Sequence, residues 1–284
     1  MAETTPMMRQ YDAAKKKAGN ALLFFRMGDF YELFFDDARS AAQALGLTLT
    51  ARDKEKQIPM AGVPVRAVDG YLRRLVSQGF RVAICEQLQD PAEAKGIVDR
   101  DVVRIVTPGT LTEESVLDAR AHNYLLAVHL TPRRAGLAWA ELSTGRFFVE
   151  DVERGALIDA IARVAPAEVL LSSGSVEQQE DLVAEIARLT GTVAQEVPDW
   201  VFGEANAQQA LKSHFRVSTL EAFGLQRKDK SLGAAAAILH YLGETQRTAL
   251  THLTALKRFR GGDHLVLDAG TRRRLDLDQV REVL

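Results

Sequence analysis

Hydrophobic residues along the first hundred positions switch repeatedly between helical and strand periodicity. Thr5–Ala18 has helical spacing, whereas the uninterrupted apolar run Ala21–Arg26 predicts a short buried strand. Apolar residues then recur every three or four positions, which predicts a helix from an N-cap at Asp29 to about Leu45. The same criteria predict strands at Leu47–Ala51, Phe80–Glu86 and Val102–Val106, and a helix through Val68, Leu72 and Leu75 that Gly79 ends. This alternation is typical of a small mixed α/β domain.

A second domain is predicted after a linker between residues 107 and 120. Three strands joined by tight turns form an antiparallel meander, followed by a helix, a strand and a helix, an order that resembles a ribonuclease-H-like fold. Nucleases of that fold place a metal-binding carboxylate on the first strand, but the first strand here has none, so we expect a spacer without chemistry. The predicted elements are strands Tyr124–His129, Gly136–Leu142, Arg146–Glu150 and Glu168–Leu171, and helices Arg154–Val164, Val176–Leu189, Asn206–Phe215 and Ser231–Leu250.

Composition narrows the class of protein. The chain has 284 residues, 46% hydrophobic residues and a net charge of −2, which suits about two globular domains and excludes a strongly basic nucleic-acid binder. Residues 151–204 carry three basic and eleven acidic groups, so this block is expected to face away from phosphates, either as a solvated surface or as a protein-docking face. The single cysteine, Cys85, lies in an apolar run, which indicates a core position and fits a reducing cytoplasm.

The most specific pattern lies in Leu22–Asp37, where an apolar stretch stops at Gly28-Asp29 and Phe-Tyr-Glu follows at once. This run resembles the start of the MutS family of DNA mismatch sensors, strongly over residues 5–120 and more weakly beyond. The resemblance implies a small mixed α/β mismatch-recognition domain, then a ribonuclease-H-like connector domain and a helical C-terminal segment. Four later segments are similar to MutS segments and occur in the same order: Ile58–Pro64, Val82–Gln87, Asp90-Pro91 and Val102–Thr110.

By this resemblance Phe30 is the wedge that enters the minor groove at the faulty base pair, and Glu32 is the carboxylate that contacts a base. An apolar wedge tests how easily a base step unstacks, and a mispaired step unstacks at lower cost. A carboxylate near phosphates lowers affinity for normal DNA and is offset only by a hydrogen bond to a base edge. The alternative for Phe-x-Glu taken alone is the start of an amphipathic helix with Phe30 in the core.

Three further DNA contacts follow from the resemblance. A charged loop at Arg52 and a loop from Met60 to Arg66 would flank the wedge, with Met60 against sugars and both arginines on phosphates. The family commonly has a histidine where this chain has Arg66. The phosphate contact is therefore assigned to a residue that departs from the family pattern. Arg26 and Lys15–Lys17 are either further DNA contacts or solvated surface.

The resemblance also implies domain boundaries and cofactors. We predict a mismatch-recognition domain at 1–115, a linker at 116–121, a connector domain at 122–255 and the start of a lever domain at 256–284. The family's ATPase carries a P-loop, and no Gly-x-x-x-x-Gly-Lys-Ser/Thr occurs here, so ATP and Mg²⁺ are expected only for a C-terminal domain outside this sequence. The sequence is therefore interpreted as an N-terminal fragment that is not itself an enzyme and has no cofactor or metal.

Mismatched double-stranded DNA is the expected partner, with a MutL-type protein at the connector domain and a homodimer for the full-length family. Two alternatives come from other classes of function. One is a protein-docking connector without mismatch selectivity, and the other is a metal-dependent nuclease. The sequence contains no run of 18 or more apolar residues, so it predicts no membrane span. The expected location is the bacterial cytoplasm at the nucleoid. The six scattered histidines predict no metal site and no Ser/His/Asp arrangement.

Overall fold

The computed structural model describes residues 5–52, 58–89, 96–112 and 122–259. The chain divides into two compact units, one formed by residues 1–120 with 244–248 and the other by residues 121–243 with 249–284. Within the described residues, no helix is both long enough and apolar enough to cross a membrane. The predicted domain boundaries remain predictions, and the lever-like sequence Leu265–Leu275 lies outside the described residues.

The first unit is built on a six-stranded mixed sheet with the strand order β3-β4-β2-β1-β5-β6. Only β1 and β5 pair in parallel, and the other neighbours are antiparallel. Its strands are β1 (Leu22–Met27), β2 (Phe30–Phe34), β3 (Thr50–Ala51), β4 (Pro59–Pro64), β5 (Val82–Gln87) and β6 (Arg100–Val106), and its helices are α1 (Pro6–Ala18), α2 (Phe35–Leu45) and α3 (Val68–Val76).

Both faces of this sheet are covered by helices. Helix α1 lies on one face, where Tyr11 makes edge contacts with Phe25 and Phe34 at centroid distances of 5.6 and 5.1 Å. Helices α2 and α3 cover the opposite face, where Leu33 is buried. The expected core role of Cys85 is confirmed, because its side chain is buried among the residues under α1, and burial raises the pKa of the thiol to about 12.

The prediction of a helix starting at Asp29 is wrong. Residues Phe30–Phe34 form strand β2, and helix α2 begins only at Phe35. A hairpin turn at Gly28-Asp29 connects β1 to β2, with Gly28 at φ 60°, a conformation that glycine adopts without a Cβ penalty. Phe35 also has a positive φ of 55°, which lets the strand pass directly into the helix without a linker. The end at Leu45 is confirmed, with Gly46 in the left-handed conformation after it.

Two other predictions in this unit need correction. The segment Met60–Arg66 was expected to be a loop, but Pro59–Pro64 is a strand that pairs with β2 on one side and β3 on the other. The strand predicted at Leu47–Ala51 is shortened to its last two residues, since it pairs only with the start of β4.

The second unit contains the predicted ribonuclease-H-like fold. Its sheet has the order β11-β10-β7-β8-β9-β12, with an antiparallel β7-β8-β9 meander and with β10 and β11 parallel to β7. The strands are β7 (Leu125–Leu130), β8 (Arg134–Glu141), β9 (Arg146–Glu153), β10 (Glu168–Ser172), β11 (Gln195–Val197) and β12 (Lys257–Arg258), and the helices are α4 (Leu157–Val164), α5 (Ser173–Gln178), α6 (Glu180–Thr190), α7 (Glu204–Phe215) and α8 (Ser231–Gln246).

The helices of this unit differ from the prediction in two places. The helix expected at Val176–Leu189 is divided at Gln179, where the backbone is not helical, at φ −136° and ψ 50°. The helix expected from Ser231 to Leu250 ends at Gln246, because Arg247 adopts a positive φ of 51°.

Candidate nucleic-acid interface

The hairpin between β1 and β2 holds Phe30 at the first position of β2, an interior strand of the first sheet. Phe30 pairs with Met27 across the turn, and its side chain is 47% exposed although it is aromatic. The backbone N–H of Val65 donates to the carbonyl oxygen of Asp29 at 2.9 Å, so the turn is tied to the chain that leaves β4. A large apolar side chain is thus exposed on a turn that is fixed from both sides.

On the face of the sheet that carries α1, strands β2 and β4 keep a set of exposed or half-exposed positions. Successive residues of a strand point to opposite faces. In β4 the half-exposed and the buried positions alternate strictly, and register pairs Phe30 with Pro64, Glu32 with Gly62 and Phe34 with Met60. We call this surface the open face, and it comprises Phe30, Glu32, Met60, Gly62 and Pro64.

Glu32 contacts an arginine that follows β3, a strand that is not adjacent to β2. Arg52 Nη1 lies 3.3 Å from Glu32 Oε2, and the same guanidinium lies 5.4 Å from the centre of the Phe34 ring. Partial burial raises the pKa of the Glu32 carboxyl above its usual value, and the positive charge of Arg52 opposes this effect. The open face therefore carries a carboxylate that is costly to keep ionised without a cation or a hydrogen-bond donor.

A polar network lies beneath the hairpin on the opposite face. The Tyr31 hydroxyl donates to the Glu86 carboxylate, and Arg26 Nη1 lies 3.4 Å from Glu86 Oε2. The carbonyl oxygen of Arg26 accepts a 2.7 Å hydrogen bond from Arg100 Nε. Burial and the neighbouring Glu86 raise the pKa of Tyr31 to about 12. These contacts link β1, β2, β5 and β6 at the level of the turn and fix the direction in which Phe30 projects.

Three of the four cations whose role the sequence left open have partners within this unit, and the fourth, Lys16, is exposed. Arg26 belongs to the network with Glu86. Lys15 Nζ lies 2.9 Å from Asp37 and also donates to the carbonyl oxygen of Ala21 at 2.7 Å. Lys17 Nζ lies 2.7 Å from Asp101. Arg26, Lys15 and Lys17 are therefore structural cations rather than simply solvated ones.

The structure brings most of the predicted site residues together. Phe30, Glu32 and Met60 share the open face, and Arg52 contacts Glu32. Arg66 is exposed in a short 3₁₀ turn that begins just after Pro64, so it lies at the hairpin end of β4. Sequence reasoning missed Gly62, which pairs with Glu32, and the strand alternation of Pro59–Pro64 was the signal that could have found it.

Protein-family models match both parts of the chain. A model described as MutS domain I matches residues 5–115, and a model described as MutS domain II matches residues 123–254. The chain belongs to the MutS family. The two domains imply a role in the recognition of mismatched DNA and its repair, with DNA as the binding partner. The mixed α/β fold class and the ribonuclease-H-like second domain are confirmed.

The MutS domain II unit carries little that suggests nuclease chemistry. Strand β7 has no acidic residue, in agreement with the sequence. No cluster of three or more His, Cys, Asp or Glu side chains able to hold a metal ion occurs among the described residues. Two of the histidines contact backbone carbonyl oxygens, His129 at 3.1 Å from Lys230 and His214 at 2.8 Å from Leu253.

An apolar groove marks another surface of this unit. Trp200 is 60% exposed and lies edge-on to His240, with ring centroids 5.4 Å apart. The groove has a volume of about 380 Å³ and is lined by residues from α7, α8 and the segments that flank them. Its lining includes Trp200, Ala210, His214, Leu239, His240 and Leu250.

Proposed function

We propose that the first domain recognises mismatched DNA by inserting the Phe30 side chain into the minor groove at the faulty pair. The observation that carries this proposal is the exposed aromatic ring at the end of a hairpin that is braced by Val65 and by the network under Tyr31. Insertion of an apolar side chain costs a few kcal/mol of base stacking, and this cost is lower where pairing is already weak. Because the hairpin is rigid, the DNA and not the Phe30 side chain must change conformation on binding. The difference in unstacking cost between mispaired and matched steps then determines the binding affinity.

Glu32 is the proposed source of discrimination against normal DNA. Its carboxylate lies on the same face of β2 as Phe30, so it reaches the groove together with the wedge. In a matched duplex it meets phosphates and acceptor-rich base edges, which disfavour a negative charge. At a distorted pair a donor on a displaced base, or protonation of the carboxyl, removes this penalty, and the raised pKa of Glu32 supports the second route.

The remaining site residues are proposed to position the duplex. Arg66 is exposed beside the hairpin and available to a phosphate, and Met60 is half-exposed on the open face and available to a deoxyribose. Arg52 has two possible partners, since it contacts Glu32 in the unbound chain and could reach a phosphate when DNA is present.

We also propose that residues 1–284 perform no chemistry of their own. The sequence has no P-loop motif, and the described residues bring no metal-binding cluster together, which supports binding without ATP, Mg²⁺ or another cofactor in these domains. Homodimer formation and a cytoplasmic location at the nucleoid remain predictions.

The test places residues 1–284 in a full-length MutS-family host and compares the unaltered version with Phe30→Ala. Both are titrated against G·T and matched duplexes that carry 2-aminopurine beside the test pair, so that binding and unstacking are read together. We expect a mismatch preference with a fluorescence rise in the unaltered version and neither in Phe30→Ala. Leu49→Ala is the matched control, because Leu49 is exposed to nearly the same extent, at 46%. Equal preference in all three versions would contradict the wedge assignment.

A second candidate function is supported by the groove around Trp200. We propose that the second domain docks a MutL-type protein through this groove. An exposed tryptophan in an apolar groove is typical of an interface anchor. The acidic side chain of Asp199 precedes Trp200 directly, which favours a partner surface that combines apolar and basic residues.

A further inference from the structure

Gly62 occupies a position in β4 where the backbone does not require a glycine. Its φ is outside the left-handed region, and register pairs it directly with Glu32 in β2. A glycine within a strand destabilises it by about 0.5–1 kcal/mol relative to alanine. A strand glycine without a backbone reason commonly marks a place where another molecule approaches closely.

The space above Gly62 adjoins the wedge. A Cβ atom built on Gly62 would lie 3.6 Å from Phe30 Cδ1, an ordinary van der Waals distance, and apart from its two chain neighbours no other described residue would come within 4 Å of it. The neighbours of Gly62 on the open face are Met60 and Pro64 along β4 and Glu32 across the strand pair. The missing side chain therefore leaves a shallow recess beside Phe30 and Glu32 with nothing from the described residues above it.

We propose that Gly62 is a specificity-determining residue of the mismatch site, because its recess admits the deoxyribose of a nucleotide that flanks the inserted wedge. The inference rests on the proposed function, since only insertion of Phe30 brings the sugars of the groove down to the strand. The recess is bordered by the apolar side chains of Met60 and Pro64 and by the Glu32 carboxylate, which repels a phosphate, so the recess suits a sugar ring better than a phosphate. A duplex that is not kinked stays farther from β4 and does not use the recess.

The test compares Gly62→Ala and Gly62→Val with the unaltered version, each carried in the full-length MutS-family host described above, in binding to G·T and matched duplexes at low salt. We expect Gly62→Ala to reduce the mismatch preference about tenfold and Gly62→Val to reduce it further, while affinity for matched DNA changes by less than about twofold. Gly70→Ala is the matched control, because Gly70 is exposed in α3 and an added Cβ meets no atom within 4 Å. Thermal unfolding should show that Gly62→Ala folds as stably as the unaltered chain.

A change in the DNA separates a clash with a sugar from a displacement of the Phe30 ring. Each nucleotide flanking the mismatch is replaced in turn by a three-carbon spacer that lacks the sugar ring. If the added methyl group strikes a deoxyribose, removing that sugar should remove the clash. Gly62→Ala and the unaltered version should then bind one of these spacer duplexes with nearly equal affinity. Undiminished preference in Gly62→Ala, or a loss that neither spacer relieves, would overturn the inference. An unaltered chain without any mismatch preference would instead contradict the proposed function itself.

Discussion

Arg52 Nη1 lies 3.3 Å from Glu32 Oε2, although β3 and β2 are separated by the whole width of β4. The pair connects the end of β3 to the centre of the open face. Glu32 therefore enters the DNA complex with a cation already beside it. DNA binding either keeps this ion pair or replaces it with another contact. The two outcomes present different charges to the groove.

Removal of Arg52 should raise the pKa of Glu32. Burial already raises this pKa and Arg52 lowers it, so Arg52→Met leaves the burial effect unopposed. The measurement is a titration of the Glu32 carboxyl carbon by NMR. Arg39→Met is the control, because Arg39 pairs with the exposed Asp36 and not with Glu32. A lower or unchanged pKa in Arg52→Met would show that the ion pair does not form in solution.

Replacement of Glu32 by glutamine should increase affinity for matched DNA by about twofold to fivefold, because one partly screened repulsion with phosphates disappears. The mismatch preference should decrease for the same reason. Salt titrations of matched-duplex binding measure the effect. Asp36→Asn removes a carboxylate of similar charge on the exposed start of α2 and should leave the preference unchanged. Weaker binding of matched DNA by Glu32→Gln would contradict the proposed role.

Stability of the first domain should decrease at high pH through Tyr31. Its pKa is raised from 10.0 to about 12, so the folded chain keeps a proton that the unfolded chain loses. The contribution of Tyr31 to the free energy of unfolding is fully present below pH 10 and is lost as pH rises towards 12. The loss amounts to about 1 kcal/mol by pH 11. Denaturant unfolding at pH 8 and pH 11 measures it. Tyr31→Phe should be less stable at pH 8 but lose less on going to pH 11, and an equal loss in both proteins would contradict the assignment.

Trp200 should report partner binding directly. It is exposed, whereas the only other tryptophan, Trp139, is buried, so a shift in emission on adding a purified MutL-type protein would come from Trp200. We expect Trp200→Ala to weaken binding about tenfold or more. Val193→Ala is the control, since Val193 is 70% exposed but does not line the groove. Binding that is equally strong in Trp200→Ala would remove the groove from consideration.

Much of the fold follows from periodicity, and its failures have local causes. The meander of the second domain was predicted correctly because each strand is a short, largely apolar run bounded by turn residues. The helix from Asp29 was predicted wrongly because the true helical spacing after Phe35 was extended backwards over Phe30–Phe34. Strand β2 passes into helix α2 there without a turn sequence. The positive φ of Phe35 permits this, and it cannot be predicted from the sequence.

The site shows the same division between local and distant information. Phe30 and Glu32 were proposed as site residues from the resemblance of one short motif to the MutS family, because the two residues are neighbours in the sequence. The pairing of Arg52 with Glu32 spans 20 positions and depends on the strand order β3-β4-β2, which no local pattern specifies. Gly62 was missed because its segment was interpreted as a loop, where glycine is common, rather than as a strand, where it is conspicuous.

The placement of Phe30 and Glu32 on a strand also sets a distance. Side chains two residues apart on a strand lie about 6.6–6.8 Å apart along its axis and point the same way. Bases along one DNA strand are spaced by about 3.4 Å, so this separation matches two stacking steps. On an α-helix the same two residues would be about 3 Å apart along the axis and would point in nearly opposite directions. The distance between alternate side chains of β2 thus matches the distance of two base steps. One inserted or deleted residue between Phe30 and Glu32 would abolish this match.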